Sequence, residues 1–490
     1  MRRKRLSAAL LGAATALAAA GLATTAGAAS AATVQGPDFN GDGYADAVVG
    51  VGAGYVDGKK SAGFIHVLYG SESGLGTSYV KYTQESLGVP GNSEAGDQFG
   101  STVATADVDG DGLTDVVVGA PGETVGDGTA GKHHGSVVVL YGGGRAGGYL
   151  GRGKTIAQGP AGSGTGASLA VGDFTRDGAV DVAVGATQGE FGKISLRPGP
   201  LTEDKPLTQL LETGMTVKLA AGDFDGDGNT DLVTASDVLD QPDRTALWRW
   251  NGSALQEYWK HPAIGTSMAV GDFDGNGVDD LALGYCTDMS GDRVEGDCGP
   301  DAPAKGGKVR VVYGGGGADG FGTRSHTFSQ DTPGVAGTAE DGDAFGVKLA
   351  AGELTGDGRD DLVVGAPGEA IGTARWAGSA TVLTSGPDGV LDASGAAKSV
   401  AWHQNSTGVP GTAETLDSFG SAVAVADYDG DGDGDITVGA DDENSQEWEE
   451  TLSTGGVWTL PNGAGTGSKA LTPRLFGLRG AMNYGQVLGH

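Results

Sequence analysis

The stretch Asp107–Pro121 reads DVDGDGLTDVVVGAP, and it decides the fold of this chain. Its first nine residues place carboxylates at alternating positions around two glycines, and a β-branched run follows them. The same phrase or a close variant recurs six more times along the 490 residues, beginning at Asp38, Asp173, Asp223, Asp272, Glu353 and Asp427. Seven such phrases, each ahead of a short strand-like run, predict an all-β repeat protein with seven cation loops.

The chemistry of the phrase favours Ca²⁺, which takes about six to eight oxygen ligands in flexible geometry. Positions 1, 3, 5 and 9 supply side-chain oxygens, position 7 offers its carbonyl, and the glycines allow the positive φ angles that wrap the ion. An EF-hand loop begins similarly but needs Glu at position 12 and flanking helices, whereas Val118 stands there in this chain. The alternative is a set of polar hairpin turns, which explains seven copies of crowded carboxylates less well.

The predicted ligands are the residues at positions 1, 3, 5, 7 and 9 of each phrase. In the first four loops they are Asp38, Asn40, Asp42, Tyr44 and Asp46; Asp107, Asp109, Asp111, Leu113 and Asp115; Asp173, Thr175, Asp177, Ala179 and Asp181; and Asp223, Asp225, Asp227, Asn229 and Asp231. In the last three loops they are Asp272, Asp274, Asn276, Val278 and Asp280; Glu353, Thr355, Asp357, Arg359 and Asp361; and Asp427, Asp429, Asp431, Asp433 and Asp435.

The seven loops are not equivalent in their ligands. The second, fourth and seventh loops carry four acidic ligands each. The third loop, which begins at Asp173, has Thr175 at position 3 and Arg176 where a glycine is expected. The sixth loop has Glu353 at position 1 and Thr355 at position 3. We therefore expect up to seven bound Ca²⁺ ions, with the third and sixth loops binding most weakly.

The charge balance excludes some classes of partner. The chain has 31 Lys and Arg residues against 63 Asp and Glu residues, for a formal net charge of −32. Part of this acidity is the set of predicted ligands. The rest of the negative charge argues against nucleic acid or an anionic membrane as a partner, because proteins bind both through clusters of basic residues. After the N-terminal segment, no apolar stretch approaches the roughly 20 residues of a membrane span.

The N-terminal segment has the features of a secretory signal peptide. Met1–Arg5 is basic, Ser7–Leu22 is apolar and rich in alanine, and small residues follow that fit an A-x-A cleavage site. We therefore assign residues 1–31 to a signal peptide and residues 34–490 to one repeat domain. The protein is expected to be secreted and extracellular.

The two cysteines fit an exported protein. Cys286 and Cys298 lie close together in a stretch rich in glycine and aspartate. In an oxidising compartment such a pair forms a local disulfide by default. A zinc site is the weaker alternative, because no histidine or further cysteine accompanies the pair.

The spacing of the phrases predicts a β-propeller. The loops recur every 50–80 residues or so, and each repeat reads as four strands with the cation loop between strands A and B. In the second repeat, strands A, B and C are predicted at residues 101–106, 115–119 and 136–141. Seven repeats of this kind predict seven blades around an axis, with Ca²⁺-binding A–B hairpin loops.

The residues around the loops resemble the FG-GAP repeat of integrin α-subunit β-propellers. Phe99-Gly100 precedes the second loop and Gly119–Pro121 follows it. The sixth repeat has the same pair, Phe345-Gly346 and Gly365–Pro367, and the seventh differs only in Asp441, which replaces the proline. The third to fifth repeats match mainly in the metal loop. The resemblance implies a seven-bladed propeller with Ca²⁺ in the A–B hairpins, closer to bacterial FG-GAP proteins than to a receptor subunit.

The two ends of the chain are predicted to meet in one blade. The first loop begins directly after the signal region, so the first repeat has no strand A of its own. The last residues, Asn483–His490, read as a strand A, with Tyr484-Gly485 where Phe-Gly is expected. The C-terminal strand should therefore complete the first blade and remove its open edge. The alternative is a loose C-terminal tail.

A second pattern, Q-x₃-GV-x-G-x₂-E-x₂-D-x-FG, precedes the second, sixth and seventh loops. It begins at Gln84, Gln330 and Gln404, in the connections between strand D of one blade and strand A of the next. Two interpretations stay open. These segments either cap adjacent blades, with their acidic side chains bonded to backbone amides, or form a recognition surface on the face opposite the metal loops.

The sequence gives little support for catalysis. It lacks the G-x-S-x-G and H-E-x-x-H motifs, and the adjacent His133 and His134 read as solvated residues of a B–C loop. We therefore expect a monomeric, non-catalytic interaction or adhesion module that binds an extracellular protein or a cell-surface polysaccharide. The alternatives are a lectin, for which an exposed Trp448 could stack on a sugar, and a hydrolase with a pocket on the face opposite the metal loops.

Overall fold

The computed structural model describes residues 36–490 apart from residues 77, 125–132, 144–149, 189–190, 215–216, 239–240, 263–264, 286–304, 316–319, 444–453, 480–481 and 490. The predicted signal peptide, the predicted Cys286–Cys298 disulfide and Trp448 lie outside the described residues. Among the residues that are described, no helix is long and apolar enough to cross a bilayer.

The described chain is built almost entirely of strands. Blade 1 contains β1 (Ala47–Val51), β2 (Phe64–Tyr69) and β3 (Ser78–Tyr82); blade 2 contains β4 (Thr102–Ala106), β5 (Asp115–Ala120), β6 (Ser136–Leu140) and β7 (Gly153–Gln158); blade 3 contains β8 (Ser168–Gly172), β9 (Asp181–Gln188), β10 (Phe191–Arg197) and β11 (Thr208–Thr213). Blade 4 contains β12 (Val217–Gly222), β13 (Asp231–Val238), β14 (Gln241–Trp250) and β15 (Leu255–His261); blade 5 contains β16 (Gly265–Gly271), β17 (Asp280–Tyr285), β18 (Lys308–Val312) and β19 (Ser325–Phe328).

Blade 6 contains β20 (Lys348–Gly352), β21 (Asp361–Ala366), β22 (Ser379–Leu383) and β23 (Ser399–Trp402); blade 7 contains β24 (Phe419–Ala426), β25 (Asp435–Ala440), β26 (Gly456–Leu460) and β27 (Lys469–Leu471). The last strand, β28 (Val487–Gly489), joins blade 1. Short 3₁₀ segments at Pro461–Gly463 and Pro473–Phe476 flank β27.

These strands form seven four-stranded antiparallel sheets, which confirms the predicted all-β, seven-bladed propeller. The strands of blades 2 to 7 pair in chain order, A-B-C-D. Strand A of every blade contacts strand A of both neighbouring blades, so the A strands surround the axis. In blade 2, the predicted strands A, B and C agree with β4, β5 and β6 to within one residue at each end.

The hydrophobic core lies between blades rather than within them. The described residues form seven apolar clusters, and each joins two adjacent blades. Strand B of blade 2 shows why, because Val116 and Val118 pack toward blade 1 while Val117 packs toward blade 3. A β-branched run buried on both faces suits this position. One cluster joins blades 7 and 1 through residues such as Ala426 and Ala47.

The C-terminal strand pairs with the first strand of the chain, as the sequence predicted. Residues 487–489 of β28 lie antiparallel to residues 48–50 of β1. Tyr484 forms a parallel bridge with Gly455, just as Phe99 does with Gly63. The Tyr484 hydroxyl also lies 2.6 Å from Nδ1 of the buried His66 in β2. That this pairing keeps the ring closed in solution remains a prediction.

Two glycines explain why the FG and GAP halves of the repeat recur together. Gly439 lies in β25, strand B of blade 7, and a Cβ added there would lie 1.9 Å from the carbonyl oxygen of Gly485. Gly485 itself has φ of +96°, a conformation that favours glycine. The GAP glycine of one blade therefore packs on the FG glycine of the next. The Tyr484-Gly485 pair thus occupies the position of Phe-Gly in the C-terminal segment.

Candidate cation loops and the opposite face

The seven predicted cation loops end at the first residue of strand B, or in blade 1 at the residue before it, on one face of the propeller. In each loop the position-1 carboxylate is bonded by backbone N–H groups of its own loop. In the second loop, Asp107 Oδ1 accepts from the Gly110 N–H at 2.7 Å, and Oδ2 accepts from the Gly112 N–H at 2.9 Å. The Asp111 carboxylate then accepts from the Leu113 N–H at 2.9 Å. These bonds wrap the loop around its acidic side chains.

The position-9 aspartate connects the loop to the rest of its blade. Asp115 is fully buried, and its Oδ2 accepts from the Val108 N–H at 2.9 Å within the loop. Its Oδ1 accepts from the Gly142 N–H at 2.7 Å, after strand C. Burial raises the pKa of Asp115 to about 7. The same two kinds of bond are made by Asp46, Asp181, Asp280 and Asp435. Position 9 is therefore a structural residue as well as a candidate ligand, which the sequence did not reveal.

Four of the loops bring three carboxylates to within 4.8 Å of one another. These groups are Asp107, Asp109 and Asp115; Asp223, Asp225 and Asp227; Asp272, Asp274 and Asp280; and Asp427, Asp429 and Asp435. An all-oxygen set with several carboxylates fits the ligand preference of Ca²⁺. The other three loops have Asn40, Thr175 or Thr355 at position 3, where the four grouped loops have aspartate.

Crowding within the loops raises the pKa of some of their acids. Burial and then the neighbouring Asp111 raise the pKa of Asp109. In the seventh loop, burial and Asp431 raise the pKa of Asp429 in the same way. A divalent cation placed among these groups would favour their charged forms instead.

Basic side chains contact the acidic ligands of the third to sixth loops. Arg249 and Arg176 both contact the fourth loop, with distances of 2.6 Å to Asp225 and 3.0 Å to Asp227. The other pairs are Lys205 with Asp177, Arg324 with Asp274, and Arg359 with Asp357. Sequence reasoning missed these contacts. Only Arg176, which breaks the glycine pattern, was visible as an irregularity.

Backbone hydrogen bonds join the loops of neighbouring blades. The residue at position 8 of one loop donates its N–H to the position-1 carbonyl of the preceding loop. The bonds are Thr114 to Asp38, Asp279 to Asp223, Asp360 to Asp272, Gly434 to Glu353, and Ala45 to Asp427. The last of these links the seventh loop to the first at 3.0 Å. A change in one loop is therefore transmitted directly to the adjacent blade.

On the opposite face, the three matched D–A connections make the same contacts. In each, the glutamine Nε2 donates to a glutamate at the end of strand B: Gln84 to Glu123 at 2.5 Å, Gln330 to Glu369 at 2.5 Å, and Gln404 to Glu443 at 2.6 Å. The aspartate of each connection accepts the N–H of the glutamate three residues before it. These contacts fit the interpretation in which the segments cap adjacent blades.

The D–A connections also bond to the preceding blade. Before blade 7, the Ser418 N–H donates to the Trp376 carbonyl at 3.0 Å, and the Phe419 N–H donates to the Ala377 carbonyl at 2.9 Å. Burial and the charges of Glu123 and Glu94 raise the pKa of Asp97, in the connection before blade 2, to about 8. Each connection is thus held between two blades.

Large apolar side chains are exposed on this opposite face. Tyr55 and Trp376 lie in B–C loops of blades 1 and 6, and Leu87 lies in the D–A connection before blade 2. Leu87 is fully exposed. His133 is also exposed on this face, in a B–C loop as predicted, and its Nδ1 lies 2.6 Å from the Gly122 carbonyl.

A seven-bladed propeller with an acidic, glycine-containing loop before strand B of each blade defines a class of repeat protein. Residues 30–68, 99–134, 165–196, 345–383 and 419–460 match the FG-GAP repeat, and residues 209–283 match the FG-GAP-like repeat. The chain belongs to the FG-GAP repeat family. The resemblance to integrin α-subunit propellers is thereby confirmed for family and fold.

Curated relatives match only part of this chain. Phosphatidylinositol-glycan-specific phospholipase D from Rattus norvegicus is 37% identical over 105 residues, which are 21% of this chain and 12% of that protein. The Mus musculus protein of the same name gives the same identity and coverage. The Bos taurus protein is 36% identical over 84 residues, or 17% of this chain and 10% of its own. This chain spans about a tenth of the length of these relatives.

Proposed function

We propose that this protein is a secreted, Ca²⁺-binding β-propeller that acts as a non-catalytic interaction or adhesion module. The observation that carries the proposal is the grouping of three carboxylates within 4.8 Å in the loops that begin at Asp107, Asp272 and Asp427. These groups lie at the same place in blades 2, 5 and 7 and offer only oxygen ligands, which is the donor set for Ca²⁺. Secretion is supported by the signal-like residues 1–31.

In this proposal the metal has a structural role. The position-1 residues Asp38 and Asp427 are ligand candidates whose carbonyls also accept hydrogen bonds from the adjacent loop. A cation that fixes one loop would therefore fix the contact between two blades. Bound Ca²⁺ would also offset the repulsion among carboxylates such as Asp109 and Asp111.

The proposed binding surface is the face opposite the metal loops. Tyr55, Leu87 and Trp376 expose apolar area there, on blades 1, 2 and 6. Tyrosine and tryptophan side chains are enriched among the residues that contribute most of the binding energy of protein interfaces, and Leu87 adds exposed apolar area beside them. We propose an extracellular protein as the partner, with a cell-surface polysaccharide as the alternative that a lectin function would require.

Binding can be tested by capture of secreted and cell-surface components on the immobilised protein. A partner captured in millimolar Ca²⁺ would then be measured against Leu87→Ala and Trp376→Ala. Val400→Ala is the matched control, because Val400 is also an exposed apolar residue but lies within β23, the outer strand of blade 6. We expect about tenfold or greater loss of affinity for the first two variants and none for the control.

Other results would support a different binding face or a different function. If Leu87→Ala and Trp376→Ala bind normally while Asp431→Asn abolishes binding in a folded protein, the metal face is the functional one. Specific binding on a glycan array would identify a lectin. Because the relatives are phospholipases that act on phosphatidylinositol-glycan, hydrolysis of such a substrate is the first enzymatic assay to run, and turnover would contradict the non-catalytic assignment.

A further inference from the structure

The fourth loop has four acidic ligands, as the second and seventh loops do, and two arginines contact them. Arg249, on β14, places Nη1 2.6 Å from Asp225 Oδ2 and Nε 3.1 Å from Asp231 Oδ2. Asp231 is buried, and the Arg249 side chain is only 15% exposed. Tyr258 covers the guanidinium, with 3.5 Å between the Arg249 Cζ and the ring centre. A charged group in this position is held by packing as well as by its ion pairs.

A second guanidinium reaches the same loop from the adjacent blade. Arg176 stands in the third loop, where the repeat has glycine, and has φ of +61°. Its Nη2 lies 3.0 Å from Asp227 Oδ2. The carboxylate of Asp223 is meanwhile bonded to its own loop, through the Gly228 N–H at 2.7 Å. Three of the four acidic ligands of the fourth loop are therefore paired with arginine.

We propose that Arg249, assisted by Arg176, is the resident cation of the fourth loop, and that this loop does not take Ca²⁺ at concentrations that fill the second and seventh loops. The inference rests on the proposed Ca²⁺ binding of the latter loops. A divalent ion among the carboxylates of Asp225 and Asp231 would sit beside a guanidinium that already neutralises them. Like charges at such distances repel strongly where solvent is excluded.

The other six loops differ in whether a basic side chain contacts their acidic ligands. The third, fifth and sixth loops each have one basic contact, from Lys205, Arg324 and Arg359. Within the described ranges, none of the ion pairs involves an acidic ligand of the first, second or seventh loop. Blades 7, 1 and 2 are adjacent in the ring. In the part of the chain that the structure describes, they form the arc in which no basic side chain is ion-paired with an acidic loop ligand.

Calorimetric titration of the purified protein with Ca²⁺ tests the inference. The double variant Arg249→Gln, Arg176→Gly removes both guanidiniums and restores the glycine of the repeat. We expect it to bind one more Ca²⁺ per chain than the unmodified protein, or to bind at one site at least about tenfold more tightly. Arg244→Gln is the matched control, because Arg244 lies on the same strand but pairs with Glu257, outside the loop. Unchanged stoichiometry and affinity in the double variant would overturn the inference.

A reciprocal pair of variants decides the matter if the double variant does not fold. Asp109→Asn removes a ligand of the second loop and should lose one Ca²⁺, whereas Asp225→Asn at the equivalent position of the fourth loop should lose none. Loss of one ion in both would contradict the inference. If the unmodified protein binds no Ca²⁺, the proposed function fails, yet a site gained in the double variant would still support the role of Arg249.

Discussion

At the residue scale, small and acidic residues fix how adjacent blades meet. Gly439 has no room for a side chain, because the carbonyl oxygen of Gly485 occupies the space next to it. Asp115 uses both carboxylate oxygens to bond backbone N–H groups on two sides of its blade. These contacts explain the glycine near the end of strand B and the aspartate at its start. Neither role depends on a bound metal.

Gly439→Ala should destabilise the protein by roughly 1–3 kcal/mol, the usual cost of adding a methyl group to a packed site. The added Cβ would force blades 7 and 1 apart where they touch. Gly386→Ala is the control, because the nearest atom to its added Cβ is 4.0 Å away. Chemical denaturation of both variants measures the difference, and equal unfolding free energies would show that the glycine contact is unimportant.

The acid of the D–A connection gives a prediction for pH dependence. Burial and the charges of Glu123 and Glu94 raise the pKa of Asp97 from an ordinary value of 3.8 to about 8. Between these values the folded state holds a proton that the unfolded state does not, so stability falls as pH rises through this window. Each such group contributes a slope of about 1.4 kcal/mol per pH unit.

In saturating Ca²⁺, Asp97→Asn should therefore flatten the decline of stability between pH 6 and pH 8 and should stabilise the protein at pH 8. The asparagine oxygen can still accept the Glu94 N–H. Asp388→Asn, at an exposed aspartate, serves as the control. Denaturation curves at several pH values provide the measurement, and a slope identical to that of the unmodified protein would refute the assignment.

At the scale of elements, the A–B loops and the D–A connections both join one blade to the next, on opposite faces. The loops do so through bonds such as Ala45 to Asp427, and the connections do so through bonds such as Ser418 to Trp376. Strand β28 also joins blade 7 to blade 1. Its chain continues from blade 7, and it pairs with β1 in blade 1. The boundary between blades 7 and 1 is thus held both by the Ala45 to Asp427 bond on the loop face and by the pairing of β28 with β1.

Deletion of residues 481–490 should cause aggregation or loss of soluble protein. The deletion removes β28 and leaves β1, an apolar strand in the middle of a blade, with an unpaired edge. Size-exclusion chromatography and thermal unfolding would report the effect. A truncated protein that remains monomeric with an unchanged melting temperature would show that the C-terminal strand is dispensable.

Sequence repetition predicted the elements well, because a phrase at Asp107 that recurs six times can only be one unit of a closed array. The C-terminal strand was also predictable, because Tyr484-Gly485 stands where the other repeats have Phe-Gly before strand A. The contacts of Arg249 and Arg176 were not, because they depend on how strand C and the adjacent blade place side chains beside Asp225. Such pairs have no fixed spacing in the sequence.

At the scale of the whole molecule, the acidic loops and the exposed apolar side chains lie on opposite faces of the propeller. One face carries acidic loops, five adjacent pairs of which are joined by backbone hydrogen bonds, and the other carries the D–A connections and B–C loops with exposed Leu87 and Trp376. The basic contacts divide the loop face further, into blades 3 to 6 and blades 7, 1 and 2. Ca²⁺ would therefore act most strongly on the arc where the two ends of the chain meet.

The central claim is that cations in the loops hold the ring of blades together. Thermal unfolding in excess EDTA and in millimolar Ca²⁺ tests it most directly. Each site filled to about a hundred times its Kd adds about 2.7 kcal/mol to the folded state, so the melting temperature should rise by several degrees or more in Ca²⁺. Asp109→Asn should reduce this rise. An identical transition in EDTA and in Ca²⁺ would contradict the account.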